Sequence, residues 1–162
     1  MRFAIEEGAL VFYHNGERTR IEAWGKDSLR VRSTMQGKFT ENPWALTEDI
    51  PHGEALIVVE EEDHWVGDGT IDKKEKATIT NGRIQAVVNF AGIITFYRDG
   101  QQILREYYRM YDGTLSRESR CLKVINRTWK GVIGGSEYEL NVKFESSGGE
   151  KIFGMGQYPQ PY

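Results

Sequence analysis

The chain has 162 residues, a single cysteine (Cys121) and a formal charge of −3. That length can bury enough apolar surface for one domain without a staple, and one cysteine excludes both an intrachain disulfide and a cysteine-based zinc site. The acidic balance argues against nucleic acid as a partner, because phosphate contacts need a basic field, and no run approaches the ~18 apolar residues of a membrane span. The opening segment reaches Glu6-Glu7 too early for the apolar region of a signal peptide, which predicts a cytoplasmic protein.

In chain order, Leu10 to Tyr13 precedes His14-Asn15-Gly16, and Asn-Gly is the strongest short hairpin signal because both turn residues need a positive φ. The chain returns through Thr19 to Trp24, turns at Gly25-Lys26-Asp27 and alternates from Ser28 to Ser33, with Leu29 and Val31 opposite Arg30 and Arg32. Residues 35–54 are polar, carry Pro43 and Pro51, and read as a long loop. Ala55 to Glu60 is a short apolar strand running into Glu61-Glu62-Asp63. Ala77 to Thr80, an Asn81-Gly82 turn, Arg83 to Asn89, Gly92 to Tyr97, an Arg98-Asp99-Gly100 turn and Gln101 to Arg105 make a four-stranded meander. Residues 84–96 are apolar on both faces, which predicts central strands covered on both sides.

Residues 101–120 carry both helical spacing (Leu104, Tyr107, Tyr108, Tyr111) and features of a strand ending in a loop at Asp112-Gly113; they are read as strand. Leu122 to Trp129 is a further strand. Tyr138, Leu140, Val142 and Phe144 alternate with Glu139, Asn141, Lys143 and Glu145, predicting a strand with one face in the core and one in water. No prolines interrupt residues 52–158. About ten short strands with turn punctuation and no long helical pattern predict an all-β fold, an antiparallel β-sandwich with little helix.

The chemistry is sparse. There is no phosphate-binding loop, dinucleotide fingerprint or nucleophile elbow, so no cofactor is expected. His14 abuts a turn and His52 lies in the Pro51 loop. His64 follows the acids Glu60 to Asp63 and reads as part of a solvated strand end rather than a metal site, so no metal is expected either. Aromatic platforms for a sugar are better represented. Trp44, Trp65 and the Tyr107-Tyr108 pair fall in loops or at strand ends, whereas Trp24 and Trp129, inside strands, read as core or interface. The C-terminal stretch, with its aromatics, glycines and prolines, reads as a strand leading into a buried loop rather than a frayed end.

The segment Phe144-Glu145 … Glu150-Lys151-Ile152-Phe153-Gly154-Met155-Gly156-Gln157 resembles a signature of glycoside hydrolase family 31. Ser28-Leu29-Arg30-Val31-Arg32 is similar to an early strand of that family, and the meander from Ala77 to Glu106 to its Asn-Gly turn and following strands. The Gly-Met-Gly-Gln-Tyr form is most similar to the α-xylosidase-like branch. The resemblance implies a galactose-mutarotase-like supersandwich: residues 1–162 as a single N-terminal domain, cut before a catalytic (β/α)8 barrel. It implies retaining hydrolysis of an α-linked oligosaccharide by two aspartates ~5 Å apart, both in the barrel, so no catalytic residue is expected here. Gln157 and Tyr158 would border the sugar pocket, with Trp65 and Trp44 as further candidate sugar contacts.

Two functional classes follow. One is a non-catalytic domain that braces the barrel and shapes the pocket of an α-xylosidase or α-glucosidase. The other is a stand-alone carbohydrate-binding module using surface aromatics. A separate expectation is self-association of the 162-residue chain through the flank carrying residues 152–162, where a missing barrel would leave Phe153, Met155 and Tyr158 uncovered.

Overall fold

The computed structural model describes residues 2–39, 50, 53–66, 69–109 and 124–146. All the regular structure among them is antiparallel β. The first sheet contains β1 (Phe3–Glu6), β2 (Ala9–His14), β3 (Glu17–Ala23) and β4 (Leu29–Thr34) in sequential order. The second contains β5 (Leu56–Trp65), β6 (Ile71–Asn81), β7 (Ile84–Val88), β8 (Ile94–Arg98) and β9 (Gln101–Arg105), also in sequential order. A separate pair is formed by β10 (Arg127–Gly131) and β11 (Tyr138–Val142).

The period-2 patterning explains the layering. Phe3, Leu10, Phe12 and Ile21 from the first sheet meet Ala77, Ile79, Ala86, Val88 and Ile94 from the second in one buried cluster. Phe3 and Phe12 lie with ring centroids 6.1 Å apart. This is the expected β-sandwich. β1, which has no clear sequence signal, joins through a Glu7-Gly8 turn whose φ values are 50° and 75°, the same two-residue geometry as Asn15-Gly16 (51°, 81°) and Asp99-Gly100 (52°, 78°).

The β6–β7 turn differs from its expected register. The two loop residues are Gly82 and Arg83, and of these only Gly82 has a positive φ. Asn81 is instead the last residue of β6, and its side-chain amide donates to the carbonyls of Gly25 (2.8 Å) and Ser28 (2.7 Å). A buried amide needs these partners, and in taking them it ties the β3–β4 turn of one sheet to the end of a strand in the other.

Three further readings are corrected or refined. β5 and β6 are longer than the apolar pattern, because their charged halves continue the pairing out to Trp65↔Ile71. The middle strands of the second sheet are more deeply covered on one side than the other: Ala86, Val88 and Ile94 are buried, while Gln85, Val87 and Thr95 on the other face are half-buried. β11 alternates as expected, but its apolar face is not core: Tyr138, Leu140 and Val142 are all exposed, as is Phe144 just beyond the strand. The strand reading of residues 101–120 holds for β9; beyond it come single bridges, Glu106↔Phe144 and Arg109↔Val124, and residues 110–123 lie outside the described residues.

Candidate functional site

Beyond the sandwich, β5 and β6 form an arm. Its stem is a ladder of opposite charges set by the register, with Glu60 opposite Lys76, Glu62 opposite Lys74 and Asp63 opposite Lys73. Lys76 reaches Glu60 at 3.2 Å and Glu62 at 3.5 Å, Lys73 pairs with Asp63, and Lys74 pairs with Asp72 on its own strand. The hydrogen bond to Asp63 raises the Lys73 pKa, that to Glu60 raises Lys76, and that from Lys74 lowers Asp72. Glu60, Glu62 and Asp63 are thus paired with lysines, while Glu61 stands opposite Glu75. His64 packs instead on Phe90, ring centroids 4.6 Å apart, and the described residues contain no group of His, Cys, Asp and Glu able to hold a metal ion.

At the foot of the arm lies a cleft of 550 Å³ lined by Arg2, His14, Lys73, Lys74, Glu75 and Phe90, among others. The Arg2 backbone N–H donates to Glu75 at 3.1 Å, and its guanidinium donates to the Phe90 carbonyl. Partial burial, reinforced by the charges of Arg2 and Arg127, lowers the His14 pKa and favours the neutral ring. The Asn15 side-chain amide lies 3.0 Å from Nε2, which places the remaining ring proton on Nδ1. The cleft offers neutral and paired polar groups suited to hydrogen bonding. Among the described lining residues Glu75 is the one carboxylate.

A second cluster, not foreseen from the sequence, is buried. The Arg127 side chain is 4% exposed, Glu17 8% and Glu106 3%. Arg127 Nε donates to Glu17 at 2.7 Å, Nη1 to both Glu106 oxygens at 2.5 and 2.6 Å, and Nη2 to the Gly92 carbonyl at 2.8 Å. The surplus negative charge is held by further donors: the Ile94 N–H (2.9 Å) and Asn126 amide (2.7 Å) on Glu106, and the Thr19 and Ser33 hydroxyls on Glu17. Arg127 also sits over the Phe12 ring, 5.4 Å from its centroid. Both carboxylates are thus committed to one guanidinium. The cluster locks β3, the end of β9 and the start of β10 together.

Of the four expected sugar contacts, Trp65 is described. It ends β5 opposite Ile71, at the tip of the arm, and is 70% exposed. Trp44, Gln157 and Tyr158 lie outside the described residues. Trp24 and Trp129, read as core or interface, are half-buried: Arg30 lies over the Trp24 ring at 4.5 Å, and Trp129 meets Tyr138 edge-on at 6.2 Å. Tyr107 and Tyr108 are likewise half-buried. The cleft and the buried cluster carry little sequence signal, because each draws isolated charged residues from strands far apart in the chain.

No family model matches the chain. Among curated proteins, a family 31 glucosidase named ORF2 from Pseudescherichia vulneris, itself described as uncharacterized, is 37% identical over 153 aligned residues that cover 88% of this chain and 26% of the relative. Among solved structures, the crystal structure of a GH31 α-xylosidase from a soil metagenome, complexed with xylose, superimposes with a TM-score of 0.68 at 33% identity, covering 100% of this chain and 23% of the other. The chain therefore spans about a quarter of the length of these relatives. Sequence and fold agree: the chain is related to glycoside hydrolase family 31 and corresponds to a β-sandwich portion of such a protein.

Proposed function

We propose that the chain is the non-catalytic, N-terminal β-sandwich domain of a retaining α-glycosidase of α-xylosidase or α-glucosidase type, of the galactose-mutarotase-like kind, which braces a catalytic barrel and helps to shape its sugar pocket. The observation that carries this reading is the match of the whole chain to under a quarter of a GH31 α-xylosidase. The buried carboxylates add support: Glu17 and Glu106 are both bound to Arg127 rather than facing a cleft as an acid and a nucleophile must. A cytoplasmic setting accords with a chain whose one cysteine can form no internal disulfide.

The test is hydrolysis of p-nitrophenyl α-xyloside and α-glucoside. The 162-residue chain should release no nitrophenol above buffer, while the longer gene product containing it should turn over at least one of the two substrates. Turnover by the 162-residue chain, abolished by replacing one of its own aspartates, would overturn the reading. A second reading, a carbohydrate-binding module, is favoured by one observation, the 70% exposure of Trp65 at the tip of the arm, since an exposed indole face is what a pyranose ring stacks on. Calorimetric binding of an oligosaccharide, lost in Trp65→Ala, would support it.

A further inference from the structure

We propose that the apolar face of the β10–β11 hairpin is the surface on which the rest of the family 31 polypeptide packs, through an aliphatic and aromatic face of its own. This rests on the reading above, that the chain is one part of a longer glycosidase.

The hairpin has two unlike faces. Thr128, Lys130, Glu139 and Asn141 make one, with Lys143 just beyond the strand; Trp129, Tyr138, Leu140 and Val142 make the other, continued by Phe144, with the buried Arg127 opposite Val142 at its root. The polar face suits water. The apolar one meets water too, with Tyr138 and Phe144 46% exposed and Leu140 and Val142 37%. Isolated apolar side chains on a surface need no explanation, but a contiguous stripe along one strand marks an interaction surface. Trp129, beneath the stripe, has a buried Nε1 with no hydrogen-bond partner, which is uncommon for a group whose surroundings are complete.

The placement adds to this. A two-stranded ribbon is marginal by itself, and this one is held at its turn by the Gln36 side-chain amide, which donates to the Ser136 carbonyl, and by further contacts at its root. There Tyr107 N–H donates to the Lys143 carbonyl at 2.8 Å, Glu145 N–H to the Arg105 carbonyl at 2.8 Å, and Arg127 enters the buried cluster. Near the turn, Ile133 is fully exposed. The occupant follows from chain length. Relatives carry roughly three further quarters of polypeptide, and a covalently attached neighbour acts at an effective concentration of about millimolar, far above that of a second copy in solution. An apolar stripe that recruits its cover would therefore be taken first by its own chain.

Carbene footprinting with mass spectrometry tests this on the 162-residue chain and on the full-length gene product that contains it, each over a dilution series. The expected result is strong labelling of Tyr138, Leu140, Val142 and Phe144 in the dilute short chain and roughly fivefold or greater protection in the full-length product at every dilution. Protection of the short chain even when dilute would mean that its own residues cover the face, and would overturn the proposal. Labelling that persists in the full-length product would overturn it too, as would protection there that fades on dilution, which would identify a second copy as the cover. A gene product that ends at Tyr162 would overturn the functional reading and this proposal together. A long, active product with a labelled face would overturn this proposal alone.

Discussion

Replacing Arg127 with methionine keeps the length of the side chain and removes its charge, leaving Glu17 and Glu106 buried without their shared cation. Removing one partner of a buried ion pair costs about 3–5 kcal/mol, because the charge left behind stays desolvated. Here the cost falls toward the lower end, since Glu106 keeps the Ile94 N–H and the Asn126 amide, and Glu17 keeps the Thr19 and Ser33 hydroxyls. A loss of about 3 kcal/mol corresponds to a fall in Tm of roughly 6–12 °C for a chain of this size. Urea denaturation followed by tryptophan fluorescence measures it, with the slope unchanged if the native fold is retained. Adding Glu106→Gln to Arg127→Met should restore part of the loss, because one of the two stranded charges is gone. A loss below about 1 kcal/mol in the single variant, or a further loss in the double one, would refute the view that the guanidinium's role is to neutralise buried carboxylates.

Two other outcomes are expected. Gly82→Ala should cost about 1–3 kcal/mol, because φ is +59° and the new Cβ would stand 2.1 Å from Asp27 Oδ1, whereas Gly8→Ala, at φ +75° with nothing within 4 Å, should cost less; paired urea midpoints decide this. The lowered His14 pKa means that the unfolded chain takes up this proton before the folded one does. Stability should therefore be full above about pH 6.5 and decline as pH falls below it. His14→Gln should remove that part of the slope between pH 7.5 and 5, and an identical slope in the variant would sink the assignment.

The hairpin framework was legible because its signals are local. Asn15-Gly16 and Asp99-Gly100 need positive φ, and the apolar residues of β7 and β8 sit next to one another in sequence. The turn at Gly82 was misplaced by one residue because Asn81 has two uses, turn former and buried amide, and only the position of Gly25 and Ser28 decides between them. The arm extends beyond the apolar pattern: Glu60 to Asp63 read as a loss of strand character, whereas Glu60, Glu62 and Asp63 each face a lysine on β6. The apolar alternation of β11 was visible, but alternation gives a face and not its cover. For the site, Trp65 was seen to sit at a strand end. The Arg127 cluster was not seen, since Glu17, Glu106 and Arg127 look in sequence like ordinary surface charges and are joined only by the packing of three sheets.

The charge ladder of the arm bears on how the second sheet ends. Among the described strands β5 lies at the margin of its sheet, so one side of its ten-residue backbone is a row of donors and acceptors open to another strand. Such margins invite strand addition and, from there, fibrous aggregation. Four consecutive acids, Glu60 to Asp63, put a carboxylate on both faces of this margin at once. A second copy approaching in register would set like charges against like, and any uncharged strand would have to cover carboxylates already engaged by Lys73 and Lys76. The run of acids that reads in sequence as a solvated strand end thus serves to keep the margin of the sheet closed to strangers.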